Sequence, residues 1–368
     1  MANHVPPLYP VAAGANSSRG RLPWLEFAPT NTKSSTNRLC IRRPQEQTPS
    51  AADENKAGFL LVVSFLIHRP EWTVEPDMNV LIYGQFYKPN HKECLLDVVK
   101  AIQQEGLTAY ADEDYWAQVE PAVKKEGNVS LFEGFDKVDI DAVLALGGDG
   151  TVLHAIALVN QLPIPVMGIN LGRLGFLSSI EGRLGGFAIH ELAKGRYHYD
   201  ERTMIYLDTD SDIFMESRMA LNDFTLHKRD TSSMITIHTY INGELLNSYW
   251  ADGLIVATPT GSTGYSLSCG GPIIFPNSGN LIITPVAPHN LSARPIVISD
   301  TSVLSFEVEG RAESFLCTLD SRFETVTGAT KLVIRKADIK ARFIQLYNYS
   351  FLKTLHEKLT FGKDSRNG

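Results

Sequence analysis

The chain has 368 residues, 43% of them hydrophobic and 20% charged, with a formal net charge of −7. That length allows two domains and a sizeable buried core. The acidic balance argues against a general nucleic-acid binder but leaves room for an anionic ligand held by backbone N–H groups.

Residues 1–77 are rich in Pro, Ser, Asn and Ala and carry no sustained helical or strand period. Up to Arg43 the only acidic residue is Glu26. That bias is similar to an organelle transit peptide. A disordered tail, or upstream sequence outside the native protein, is the preferred expectation, and organelle import the lesser one. The longest apolar run, residues 58–67, falls well short of the roughly 20 residues a membrane span needs. No membrane partner is expected. Cys40, Cys94, Cys269 and Cys317 are scattered without a C-x-x-C pair, which points to a reduced, cytoplasmic setting.

At Met78 the character changes. Residues 79–83 read as a buried strand ending at Gly84, and residues 91–105 as a helix with Leu95, Val98, Val99 and Ile102 on one face. A second buried strand over 140–146 runs into Gly147-Gly148-Asp149-Gly150-Thr151, followed by a helix over 152–159. Residues 165–169 form a third strand, leading to the loop Asn170-Leu171-Gly172-Arg173-Leu174-Gly175. Strand, loop and helix in this order predict an α/β domain over 78–180 with a Rossmann-like, three-layer build.

Beyond residue 180 the period becomes two. Strands are predicted over 197–207, 217–226, 234–241, 245–250, 253–257, 281–283, 303–308 and 331–335, with Asn242-Gly243 as a hairpin turn. This predicts a β-rich, β-sandwich domain over 181–344. A C-terminal helix within about 345–368 is expected to pack back on the first domain.

Three motifs carry chemistry. The glycines of residues 147–151 let backbone approach a phosphate, and the helix that follows presents free N–H groups. Asp149, the carboxylate of that turn, is placed to accept a proton or to help bind Mg²⁺. Taken alone, the same residues also read as a tight turn with Asp149 as a cap. The second motif runs from Asp252 through Thr258-Pro259-Thr260-Gly261-Ser262-Thr263-Gly264-Tyr265-Ser266-Leu267-Ser268. Its hydroxyls suit a sugar and pyrophosphate, and Tyr265 offers a flat face for a base. The third is Asn222-Asp223, an amide beside a carboxylate that suits vicinal hydroxyls, although taken alone the pair reads first as a hairpin turn.

These motifs, in this order and spacing, resemble the NAD kinase family. Residues 168–170, 174–177 and 284–289 resemble it as well, so the likeness covers Met78 to the C-terminus and is nearest to bacterial members. The GGDGT loop is shared with lipid kinases of the diacylglycerol and sphingosine type. The run ending in Tyr265-Ser266-Leu267-Ser268 is more specific.

The resemblance implies ATP-dependent phosphorylation of the 2′-hydroxyl of the adenosine ribose of NAD, giving NADP. NAD and ATP are then the substrates, with a divalent cation, Mg²⁺, brought by ATP. It implies Asp149 as general base, with Gly150 and His154 near the dinucleotide and phosphate. Asn222, Asp223 and Asp252 would hold ribose and amide groups. Thr260, Thr263, Gly264, Tyr265, Ser266, Leu267 and Ser268 would surround the adenine half. Ala287 would touch NAD bound to a neighbouring subunit, and Arg322 would be a polar ligand contact. A homo-oligomer, dimer or tetramer, is implied too. The alternatives are a lipid kinase and a non-catalytic dinucleotide-binding regulator.

Overall fold

The computed structural model describes residues 78–229, 233–347 and 349–359, so the expectations for residues 1–77 fall outside it. The parallel core comprises β1 (Asn79–Tyr83), β2 (Thr108–Ala111), β3 (Val129–Leu131), β4 (Ala142–Leu146) and β5 (Val166–Asn170). Their spatial order is β5-β4-β1-β2-β3. β4 and β5 are buried along their whole length, which is why they read as continuous apolar runs. Helices α1 (Lys92–Gln104), α2 (Asp149–Val159) and α3 (Gly185–Ala193) cover the sheet. Val80 and Ile82 face Leu95, Val98 and Ile102 of α1 with Ile189 and Leu192 of α3. Leu81, Val143 and Ala145 face Val152, Ala155 and Ile156 of α2. Alternate strand residues thus feed two helical layers, giving the three-layer α/β build.

The short β6 (Ile180–Glu181) pairs with β5 in parallel, and antiparallel structure follows. Its first members are β7 (Tyr197–Asp208), β8 (Met219–Ala220), β9 (Asp223–Lys228), β10 (Ile235–Ile241), β11 (Glu244–Ala251) and β12 (Gly253–Ala257). Then come β13 (Asn280–Val286), β14 (Ile296–Ser299), β15 (Leu304–Glu309), β16 (Ser314–Leu319), β17 (Arg322–Thr327) and β18 (Leu332–Leu346). One sheet has the order β14-β13-β12-β9-β16-β17. It packs on the wing β11-β10-β15-β18 through Phe224, Leu226, Leu254, Val256, Ile237 and Phe306, which makes the sandwich.

β18 belongs to both halves. It pairs with β15 through Leu332–Ile334, with β7 along its length, and in parallel with β5 at Phe343. The antiparallel wing is therefore an extension of the parallel sheet. The helix α4 (Phe351–Leu359) follows, with Thr354 and Leu355 buried and the Phe351 ring 6.2 Å from Phe176.

Three expectations need correction. The helix after the glycines begins at Asp149, not Val152, because Gly148 is extended and serves as its N-cap. The strand expected over 217–226 is broken at Leu221–Asn222, where the backbone turns to bond with Asp320 and Thr258. The strand expected to end at Arg335 continues to Leu346. Among the described residues no helix is long and apolar enough to cross a membrane.

Candidate functional site

The first half delivers a carboxylate at the head of a helix. β4 carries the chain to Gly147, whose N–H donates to the Ile169 carbonyl at 2.9 Å. A side chain at Gly147 would overlap Thr151 Oγ1, so the glycine is required by close approach. Asp149 opens α2, where a negative charge is favoured by the helix dipole. Its carboxylate bends back onto the loop after β5. Oδ1 accepts from Leu177 N at 3.0 Å, Ser178 N at 3.0 Å and Ser178 Oγ at 3.1 Å, while Oδ2 accepts from Phe176 N at 2.9 Å.

Beside this loop lies a cavity of about 310 Å³ bounded by Gly147, Gly148, Thr151, Asn170 and Gly172, with Lys88, His91 and Arg173 at its walls. Lys88 and Arg173 bring positive charge to the glycine turn. Burial, and then the Lys88 charge, lower the His91 pKa. His91 Nδ1 accepts the Lys88 N–H at 3.3 Å. Basic side chains and free helix-terminal N–H groups around one hollow can receive an anionic phosphate chain.

A second cavity, of about 370 Å³, opens between α2 and the sandwich. Leu153 of α2 lines one side; Asn222, Asp223, Thr225, His227 and Tyr265 line the other, with Thr318, Asp320 and Ser321 at its edge. Asp320, in the turn between β16 and β17, has a left-handed φ of 53°, which Asp tolerates better than most residues. Its carboxylate accepts the N–H groups of Leu221 at 2.9 Å, Asn222 at 2.7 Å and Asp223 at 3.2 Å. The Asn222 carbonyl accepts the Thr258 N–H at 2.9 Å, and the Thr258 hydroxyl donates to the Leu221 carbonyl at 2.5 Å. A side chain at Gly261 would overlap the Asn222 backbone. Asn222 and Asp223 are thus held between two loops. The buried Asp223 carboxyl is pushed up to about 7, first by burial and then by the Asp320 charge. Burial also pushes Asp320 up, while three backbone N–H donors and Arg322 act to hold it down.

The remaining anticipated residues fall into distinct places. Gly150 is exposed on the first turn of α2. His154 Nε2 lies 3.1 Å from Ser321 Oγ and ties α2 to the β16–β17 turn. Asp252 is 2.5 Å from Lys228 Nζ. Thr260 is buried, with its hydroxyl 3.4 Å from Arg202 Nη1, and the Thr263 hydroxyl donates to the Thr260 carbonyl at 3.2 Å. Gly264 lies beside the Asn222 amide, and Tyr265 stacks on His227 with ring centroids 5.6 Å apart.

Ser266 faces inward, fully buried and 2.8 Å from Thr284 Oγ1, so it braces the loop. Leu267 is half-buried and Ser268 exposed. Ala287 is exposed at the end of β13 with a left-handed φ of 44°. The Arg322 guanidinium donates to the Ser217 carbonyl at 2.5 Å and to the Met219 carbonyl, so both of its arms hold backbone.

Sequence reasoning missed Asp320 and His227 as parts of this site, and placed Thr258 in the hydroxyl-rich motif without giving it a part. Only Asp320 left a signal, as an acidic residue in a two-residue turn between strands.

An α/β half with a glycine-lined, basic hollow set against a sandwich with a second polar pocket is the two-domain build of the ATP-NAD kinase models. The ATP-NAD kinase N-terminal domain matches residues 85–197 and the ATP-NAD kinase C-terminal domain residues 221–346. An NAD kinase of Cytophaga hutchinsonii is 50% identical over 242 residues, covering 65% of this chain and 83% of the relative. One from Christiangramia forsetii is 40% identical over 294 residues, covering 79% of this chain and 100% of the relative. The fold also resembles that of yeast NADH kinase complexed with NADH. The TM-score there is 0.70 at 22% identity, over 81% of this chain and 93% of that one. An Archaeoglobus fulgidus NAD kinase in complex with ATP gives a TM-score of 0.61 at 22% identity, over 77% and 99%. The chain belongs to the NAD kinase family.

Proposed function

We propose that this chain transfers the terminal phosphate of ATP to the 2′-hydroxyl of the adenosine ribose of NAD, forming NADP and ADP. The observation that carries the reading is that α2 serves both cavities. Its glycine-lined head borders the basic one, and Leu153, one turn on, lines the polar one. In this reading the half spanning 78–180 supplies the base and the phosphate cradle, and the half spanning 181–344 supplies the dinucleotide seat.

Asn222 and Asp223 accept and donate hydrogen bonds at the ribose, and Tyr265 with His227 flanks the base. Asp149 takes the proton as the ribose oxygen bonds to the γ-phosphorus and the bond to the β-phosphate oxygen breaks. The N–H groups of residues 147–151, with Lys88 and Arg173, balance the charge of the phosphates. Among the described residues no group of three or more His, Cys, Asp or Glu side chains is arranged to hold a metal. The donors present therefore fit a divalent cation that arrives on ATP better than a resident ion. Bound in that way, it supplies charge neutralisation at the phosphates.

Ala287, on an exposed strand end, is proposed to meet the dinucleotide of a second copy in a homo-oligomer. Cys94, Cys269 and Cys317 are free thiols, which suits a cytoplasmic site. The test is a coupled assay of NADP formation from NAD, ATP and Mg²⁺, run beside diacylglycerol and a sphingoid base as acceptors. The expected outcome is turnover with NAD alone, lost by about 10²–10⁴-fold in a folded Asp149→Asn variant. NAD binding without turnover would establish a regulator instead, and lipid phosphorylation a lipid kinase.

A further inference from the structure

We infer that Ser178 is a positioning residue for the reaction: with Asn170 behind it, it fixes which oxygen of Asp149 faces the incoming hydroxyl.

The hydrogen bonds form a chain with one direction. Asn170 Oδ1 accepts the Gly172 N–H at 2.6 Å, which sets the amide so that its Nδ2 donates. That Nδ2 donates to the Arg173 carbonyl at 2.6 Å and to Ser178 Oγ at 2.9 Å. Because Ser178 Oγ accepts from Asn170, its own proton points onward, to Asp149 Oδ1 at 3.1 Å. Ser178 is fully buried and Asn170 nearly so, so water does not compete for these bonds.

The two oxygens of Asp149 are consequently unequal. Oδ1 takes three donors and has no capacity left. Oδ2 takes one, from Phe176 N, and keeps an open lone pair. The geometry assigns proton acceptance to Oδ2. The packing at two glycines lets the loop approach the carboxylate this closely. A side chain at Gly175 would overlap both Asp149 Oδ1 and Ser178 Oγ, and one at Gly168 would press on the Leu177 carbonyl and Ser178 Cα. Two glycines thus admit the loop that holds the aspartate.

The inference rests on Asp149 acting as the base, so the test keeps the two apart. In the full chain, Ser178→Thr and Ser178→Val have the same shape and differ by the hydroxyl. Asp149→Asn is measured beside them, with kcat and KM for NAD and ATP and a thermal melt for each. A hydrogen bond to a charged group predicts kcat of the Val variant about 10- to 100-fold below that of the Thr variant. KM values for the two should agree. If the β-branched side chains prevent folding, Ser178→Ala against the parent gives the same comparison.

Equal kcat values for the matched pair, with a difference only in melting temperature, would make the chain a loop brace and overturn the inference. A loss confined to KM would overturn it as well. Full activity in Asp149→Asn removes the inference together with its premise, and is recognised from that variant alone.

Discussion

Asp223 and Asp320 exchange two hydrogen bonds at the wall of the second cavity: Asp320 N donates to the Asp223 carbonyl at 2.9 Å, and Asp223 N to the Asp320 carboxylate at 3.2 Å. Two carboxyls held this close divide the protonation between them. Burial raises Asp320 as well, and three backbone N–H donors with Arg322 oppose that rise. Asp223, buried and pushed up to about 7, keeps the proton. An acid that holds its proton more tightly when folded favours the folded chain fully below its unfolded value. It loses that contribution as pH rises through about 7. Asp223→Asn, which never ionises, should therefore gain in melting temperature relative to the parent between pH 5 and pH 8, by several degrees. Melts of both proteins across that range check it; a constant difference would contradict the assignment of the proton to Asp223.

Gly261 packs against the backbone of Asn222 so closely that a methyl group has nowhere to go. Gly261→Ala is expected to cost about 1–3 kcal/mol of stability and to raise KM for NAD, because Asn222 is the residue displaced. Denaturant unfolding and steady-state kinetics measure the two effects. A stable variant with unchanged KM would remove Asn222 from the dinucleotide seat.

Arg322 spans the carbonyls of Ser217 and Met219 and lies 5.9 Å from the centre of the Phe214 ring. Arg322→Ala should lower stability by about 1.5–3 kcal/mol per charge-assisted bond lost, with KM affected less than the unfolding midpoint. Arg322→Lys cannot fork to two carbonyls and should recover only part of the loss. A large KM change at full stability would mean that the guanidinium reaches the ligand.

A chain beginning at Met78 is expected to keep kcat and KM. The Christiangramia forsetii relative is matched over its full length by 79% of this chain. Expression of residues 78–368 and the same coupled assay decide it, and an inactive or insoluble product would give residues 1–77 a working role.

Much of the fold was legible where one local signal sufficed. The strands 79–83 and 253–257 were bounded by glycine or acidic residues and appear with those limits. Asn242 and Gly243, with φ of 51° and 85°, form the expected two-residue hairpin. What escaped was set at a distance. The break at Leu221–Asn222 is imposed by Asp320, nearly a hundred residues later. The glycine turn and the loop after β5 were both recognisable, but nothing in their spacing says that Asp149 is held by residues 176–178. The stacking of His227 on Tyr265 joins β9 to the short helical turn after β12, a contact that hydrophobic alternation alone does not reveal.

The long strand β18 has one irregularity, between Lys336 and Lys340, where residues 337–339 stand opposite only Met204 of β7. Such an insertion interrupts the ladder and bends the strand locally. On one side of it β18 is bonded to β15 of the sandwich, and on the other to β5, which leads into the loop that holds Asp149. The strand is therefore a stiff shaft with a single elbow. The sandwich wing and the parallel sheet thus meet along one strand that bends once, at Ala337–Ile339.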